Sequence, residues 1–261
     1  MTERYDAIVM GCGPAGAAAA AVLAAKRRRV LVLEREKFPR YHIGESLIPY
    51  TYFPLQRIGL IEKMKASHFP KKYSVQFVGQ DGRASQPFYF FEHLKHEAAL
   101  TWQVLRSEFD RMLMENAREK GAEVLEEVTV RETIRENGYV TGVRAVAKSG
   151  GSLQFRAPVT IDATGREAFT VTRNAWKVRD PYLNKVAIWT YYRGALRDPG
   201  IDEGATTVAY VPEKGWFWYI PLPEDVVSVG VVAEHGYLYN GNRDPAAIFH
   251  REVAKNAWIG Q

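Results

Sequence analysis

Cysteine is almost absent from this chain. Cys12 stands alone, so no internal disulfide can staple the fold, and a reducing cytoplasm is the expected setting. Long hydrophobic runs are lacking as well. The apolar run at residues 15–25 falls short of the ~20 residues a membrane-spanning helix needs. The opening residues (MTERYDAIVM) run straight into a strand pattern, so no secretory signal is expected. A metal-ligand cluster is missing too: His93 and His96 lie three apart, but no further ligands accompany them, and no metal is expected. Charge of either sign is not in large excess, with a net +5. The dense basic cluster Lys26-Arg27-Arg28-Arg29 falls where a helix should end and where cations complement its dipole, so nucleic acid is not expected. What remains is ordinary globular composition, 46% hydrophobic over 261 residues, enough for one large domain or two interleaved ones.

The first forty residues carry a more specific pattern. Residues 5–10 (YDAIVM) read as a short buried strand, and GCGPAG follows, with Gly11, Gly13 and Gly16 in G-x-G-x-x-G spacing. Ala-rich sequence to Lys26 reads as helix, and residues 30–33 (VLVL) as a second buried strand ending at Glu34. Gly11 permits a tight turn, Gly13 lets the backbone approach a pyrophosphate, and Gly16 lets helix pack closely on strand. Pro14 and Ala15 open the helix, where the missing proline N–H costs nothing and the positive dipole end faces the phosphates. Glu34 is placed to accept hydrogen bonds from a ribose hydroxyl. Strand, glycines, helix, strand and acid in that order predict a dinucleotide site; Cys12 reads as a small residue in its turn.

Further on, residues 107–120 have helical periodicity, with Ser107 as the expected N-cap and Gly121 as the C-cap, which puts Arg106 at the helix entrance. Asn137-Gly138 and Ser149-Gly150-Gly151 mark the turns of a small β-meander. Residues 185–192, 206–211, 216–220 and 226–232 are strand candidates of an antiparallel sheet, joined by two more within 73–91. Asp244 as N-cap and Pro245 at the first helical position predict a helix running to Ala257. In GWFWYIP, residues 215–221, alternation puts Trp216 and Trp218 on one strand face and Phe217 and Tyr219 on the other. Such an indole pair either fills a core or lines a chamber.

The stretch ER-x-x-FPRYHIGESLIP at 34–49 resembles flavoproteins of the group that contains FAD-dependent halogenases, geranylgeranyl reductases and aromatic monooxygenases. Gln103-Val104-Leu105-Arg106 with Phe109-Asp110, and Ile161-Asp162-Ala163-Thr164-Gly165, are similar to further motifs of that group. The resemblance implies FAD, with Arg35, Arg40, Gly44, Glu45, Ser46, Arg106, Asp162 and Gly165 joining the glycine motif at the cofactor. GWFWYIP is similar to the G-W-x-W-x-I-P pattern of the halogenases, in which the tryptophans keep substrate away from the activated flavin. The halogenases also have a lysine between flavin and substrate. The segment 69–77 (FPKKYSVQF) points to Lys72, with Lys71 the fallback, since neighbours on a strand face opposite ways. Ser74 stands where the family commonly has glycine. A later G-D-x-x-x-x-x-D-P-like motif has no match, so the resemblance implies a C-terminally truncated or unusually short member.

The expected fold is α/β: a Rossmann-like FAD-binding domain of glutathione-reductase type (1–72 and 98–180) with an inserted antiparallel β-sheet substrate domain (73–97 and 181–261). The expected function is that of a two-component halogenase. It would take FADH₂ from a separate flavin reductase, with oxygen and chloride or bromide, and halogenate an aromatic or phenolic substrate, free or tethered to a carrier protein. A geranylgeranyl-reductase-like enzyme, an aromatic monooxygenase and a non-catalytic flavin-binding fragment are the alternatives.

Overall fold

The computed structural model describes residues 4–212 and 215–261. It divides into two compact units. The first comprises the chain up to Ile43, Phe53–Lys65 and Arg106–Val178; the second comprises Gly44–Tyr52, Ala66–Leu105 and Arg179–Gln261.

In the first unit a parallel sheet runs in the order Val159–Asp162, Ala7–Met10, Val30–Leu33, Glu123–Leu125. Ala7–Met10 and Val30–Leu33 are buried at every position, as parallel strands covered on both faces require. Helices Pro14–Ala25 and Arg106–Glu119 pack against each other. The second of these begins at Arg106, so Ser107 lies inside its first turn and is not its cap. Gly121 does end it: at φ +100° its N–H bonds Arg118 O at 2.9 Å. The meander forms from Val128–Glu136, Tyr139–Ala147 and Ser152–Arg156, and positive φ at both Asn137 and Gly138 makes the first turn. Ile8, Met10, Leu31, Leu33, Val143, Ala145 and Phe155 share one core; burying each large side chain is worth roughly 2 kcal/mol.

In the second unit a sheet runs Lys185–Arg193, Val226–Glu234, Gly215–Pro221, Thr206–Val211, Ser74–Val78, Phe88–Tyr89. It departs from the expected antiparallel pattern at one pair: Thr206–Val211 lies parallel to Ser74–Val78. These strands are far apart in sequence, so no hairpin turn dictates their sense. The aromatic run 88–91 is split, with Phe88–Tyr89 in the sheet and Phe90–His93 in a helical turn. Phe217, Val229 and Val231 meet Ile248 and Phe249 of the helix Pro245–Val253. Asp244 caps that helix by accepting the Ala246 N–H at 2.9 Å. The helix stops at Val253, short of Ala257, and Asn256 turns the chain by accepting the Trp258 N–H and donating to Gly79 O and Tyr210 O.

Segments 44–52, 66–72 and 98–105 fall in the second unit, where the sequence had placed them in the first. Lys71–Lys72 pairs with Thr101–Trp102, the Leu47 N–H bonds Trp102 O, and the Gln103 N–H bonds Pro70 O, so the three segments hold one another. Among the described residues, no helix is long and apolar enough to cross a membrane.

Candidate functional site

The first unit holds a cavity of about 380 Å³. Its lining includes Gly11, Gly13, Pro14, Ala15, Glu34, Arg35, Arg40, Arg106 and Gly165. The glycines divide the labour as the spacing predicts. At Gly11, φ is +95° and a Cβ would lie 2.6 Å from Ala163 O; at Gly16 it would lie 2.0 Å from Gly11 O. Both are demanded by the protein's own packing. At Gly13 a Cβ would meet only the Arg40 Nη2, at 3.6 Å, so the space above it is open to a ligand. Helix Pro14–Ala25 starts there without a side-chain cap, leaving its N–H groups for phosphate oxygens. Glu34, at the end of its strand, accepts the Cys12 N–H at 2.8 Å and the Glu36 N–H at 3.0 Å, with lone pairs left for a hydroxyl. Burial and then Glu34 push the Cys12 thiol up to about 12, which rules it out as a thiolate nucleophile.

Arg40 and Arg106 owe their places to a residue that the sequence marked only as part of a motif, with no role. Asp110 is fully buried one turn into its helix. It takes both Oδ atoms to Arg106, at 2.8 and 2.9 Å, and accepts from Arg40 at 2.9 Å. Arg106 also donates to Ile43 O at 2.6 Å. A carboxylate four residues after an arginine on a helix was the readable signal. Arg40 Nε makes no hydrogen bond but lies 3.5 Å from Glu36 Oε2, and its Nη2 lies 3.7 Å from Glu34 Oε2, so three carboxylates surround the guanidinium where it borders the cavity. Arg35 pairs with Glu167 across the cavity lining. Asp162 is not on that lining. Its carboxylate accepts from Thr164 and from the Thr170 N–H, bonds that outweigh burial and hold it below the usual range, so here it braces the 163–170 loop.

In the second unit the tryptophan question has an answer. Phe217 faces the core with Val229 and Val231, so Trp216 and Trp218 stand on the opposite face, half-buried. The indoles therefore form a wall outside that core. Gly230 lies between Trp218 and Trp189 in the sheet, and a Cβ there would sit 2.2 Å from the Trp218 ring. Only glycine lets the indole lie flat on the sheet. Trp218 Nε1 donates to Ser228 at 3.1 Å, and Ser228 donates to Glu45 at 3.4 Å. Glu45, 1% exposed, also accepts from the Tyr191 hydroxyl at 2.7 Å. Burial raises its carboxyl against those bonds. Beside Trp216, Lys185 sits 5.8 Å from the ring and pairs with Glu234. His93 stacks on Phe88, and His96 accepts the Ala98 N–H.

Pairing with Thr101 turns Lys72 inward and Lys71 out. Lys72 is 3% exposed, and its amine meets Ser46 Oγ at 2.8 Å, Leu47 O at 3.2 Å and the Phe90 ring at 5.5 Å. Burial lowers it to about 8, so roughly a tenth of the amine is uncharged at pH 7 and about half at pH 8. Ser46 bonds Thr206, which lies on the sheet face of Trp216 and Trp218. Glu45 and Ser46 thus lie within the second unit, bonded to the tryptophan wall and the lysine, and Gly44 precedes them at φ +105°. Gly230, Ser228, Tyr191 and Thr206 were not singled out from sequence, and Gln103 was named only as part of a motif, because their partners lie far away along the chain.

Comparison with known proteins agrees with this geometry. The model of a family described as FAD binding domain matches residues 4–222. The 1H-pyrrole-2-carbonyl-[peptidyl-carrier protein] brominase of Pseudoalteromonas luteoviolacea is 33% identical over 93% of this chain and 58% of its own length. The flavin-dependent halogenase armH3 of Armillaria mellea is 37% identical over 87% of this chain and 46% of its own. The solved structure of the myxobacterial chondrochloren halogenase CndH superposes with a TM-score of 0.86 at 31% identity, over 99% of this chain and 59% of that one. The chain spans about half the length of the curated relatives it matches. An open glycine cradle at a helix N-terminus, two arginines locked on one buried aspartate, and these matches have one explanation: the chain belongs to the FAD binding domain family, as a relative of flavin-dependent halogenases.

Proposed function

We propose that this chain carries the halogenating machinery of a two-component flavin-dependent halogenase. The observation that carries the reading is the Glu45-Ser46 dipeptide, which ties a buried amine on one side to the tryptophan wall on the other. The first unit acts as the FAD-binding domain and the second as the substrate domain. Gly13, Pro14, Ala15 and the first turn of their helix hold the pyrophosphate, Glu34 a ribose hydroxyl, and Arg40 sets its guanidinium on the cavity lining. Reduced FAD, delivered by a separate reductase, would supply with oxygen the oxidising power that converts chloride or bromide to hypohalous acid.

Lys72 receives that halogen. Its free amine attacks the halogen of HOX, forming N–X and releasing water; an electron-rich ring carbon then takes X from nitrogen and returns its proton to the amine. Atoms and charge balance, and the amine is regenerated. Only the uncharged amine has the lone pair for this, which burial provides. Trp216 and Trp218 bound the space open to the organic substrate in the second unit by bulk. The acceptor is an aromatic or phenolic compound. The carrier-bound pyrrole named for the brominase relative supports a tethered acceptor.

The test combines the protein with FAD, a generic flavin reductase, NADH, oxygen, bromide and monochlorodimedone, with catalase present. Halogenation of the trap that disappears in Lys72→Ala is the expected result. Halide-independent NADH consumption with no halogenated trap would overturn the reading.

A further inference from the structure

The cavity of the first unit already has its arginines matched by acids. Arg35, Arg40, Arg106 and Arg166 line it, and so do Glu34, Glu36 and Glu167, while Asp110 bonds both Arg40 and Arg106. Arg35 pairs with Glu167, Arg106 with Asp110, and Arg40 stands among Glu34, Glu36 and Asp110. The pyrophosphate of a dinucleotide brings negative charge that these ion pairs do not answer. The helix N-terminus at Pro14 offers only roughly half an elementary charge.

One lining residue can still change its charge. His42 follows Arg40 by two positions, lines the same cavity half-buried, and sets its Nε2 3.7 Å from Glu36 Oε2. It is the only imidazole on that lining, and imidazole is the side chain whose ordinary titration falls near neutral pH. The charges facing it come from two elements: Arg40 and Glu36 on its own segment, and Arg106 and Asp110 on the helix Arg106–Glu119. Burial and then Arg40 hold the imidazole below its usual range, with Glu36 opposing them, so His42 is largely neutral at pH 7. Phosphate oxygens reverse that balance, because a negative charge within about 4–6 Å favours the imidazolium. We propose that His42 is a phosphate-binding residue of the FAD site and takes up a proton as the cofactor enters, supplying positive charge that the paired arginines do not.

The step is one proton moving from solvent to the imidazole, with no bond to the cofactor made or broken. Its sign follows from the charges. The gain in affinity is fully present below the FAD-free midpoint of His42 and is lost as pH rises through the FAD-bound midpoint. Cys12, in the glycine turn, does not compete for the proton, since its thiol is pushed up to about 12 and stays protonated throughout. A half-exposed ion pair with Glu36 is the plainer role for His42, and it would leave FAD affinity indifferent to the imidazole's charge. The inference rests on the reading of the first unit as the FAD-binding domain, and its test needs no halide or turnover.

The experiment is a proton NMR titration of the histidine ring signals of the whole chain, with and without saturating FAD, the His42 signal being assigned by its loss in His42→Gln. FAD should raise the His42 midpoint, and inorganic pyrophosphate should raise it in the same direction. In flavin-fluorescence titrations FAD should bind on the order of fivefold more tightly at pH 6 than at pH 8, as a rise of about one pH unit requires. His42→Gln, which never carries the charge, should bind at the weaker level at both pH values, and His42→Lys, which always carries it, at the tighter level at both. A His42 midpoint that FAD leaves unchanged or lowers, or a pH dependence of affinity that persists in His42→Gln, overturns the proposal. A raised midpoint in a protein that halogenates no trap sustains it and rejects the proposed function instead.

Discussion

At the scale of single residues, two positions set the surroundings of the candidate site. Gly230 is the floor under Trp218, and its replacement by alanine would put a methyl 2.2 Å from the indole. The ring must swing away and lose its bond to Ser228. Gly230→Ala should cost about 1–3 kcal/mol in urea unfolding, with a shift in tryptophan emission, whereas an unaltered spectrum would mean the indole was never pinned. Lys72 gives a pH signature. Its folded value, about 8, lies below its ordinary 10.5, so between those values the unfolded chain holds a proton that the folded chain has released. Stability from this group therefore rises with pH across that window, by at most on the order of 3 kcal/mol. Below it, the buried amine carries its full penalty. Lys72→Met should flatten that slope in denaturation curves at a series of pH values, and a slope that persists would assign it to another group.

At the scale of elements, the glycine turn separates fold from binding. Gly16 touches Gly11 O, and Gly13 touches almost nothing. Gly16→Ala should therefore lower the melting temperature sharply, whereas Gly13→Ala should melt like wild type and lose FAD in a flavin-fluorescence titration. If both variants melt alike and both bind, the open space above Gly13 is not the cofactor's. The turn's glycines were legible because backbone sterics are local: strand, turn and helix succeed one another within thirty residues. The alternating face of Gly215–Pro221 was legible for the same reason, since side chains on a strand alternate whatever lies around them. Its meaning was not. Only the helix Pro245–Val253, packed on Phe217, decides that the tryptophans face away from that core.

At the scale of the whole molecule, each unit is closed by segments that arrive from distant parts of the chain. Asp110 fixes Arg40 from seventy residues away, and Glu45 reaches Ser228 across 183. FAD bound in the first unit should protect its own neighbours from hydrogen exchange, above all the amides of 11–16, 34–40 and 163–167. Protection confined to the second unit would place the cofactor elsewhere.

The sequence by itself determined the parallel strand–turn–helix frame, the meander and the capped helix at Asp244, because turn conformation, alternation and capping act over a few neighbouring residues. Which lysine turns inward was left to tertiary structure, since Lys71 and Lys72 differ only in their register against Thr101–Trp102. So were the roles of Glu45 and Ser46 and the parallel seating of Thr206–Val211 on Ser74–Val78. Hydrogen bonds and burial between remote segments leave no periodic mark on either partner, and they exist only once the chain has folded.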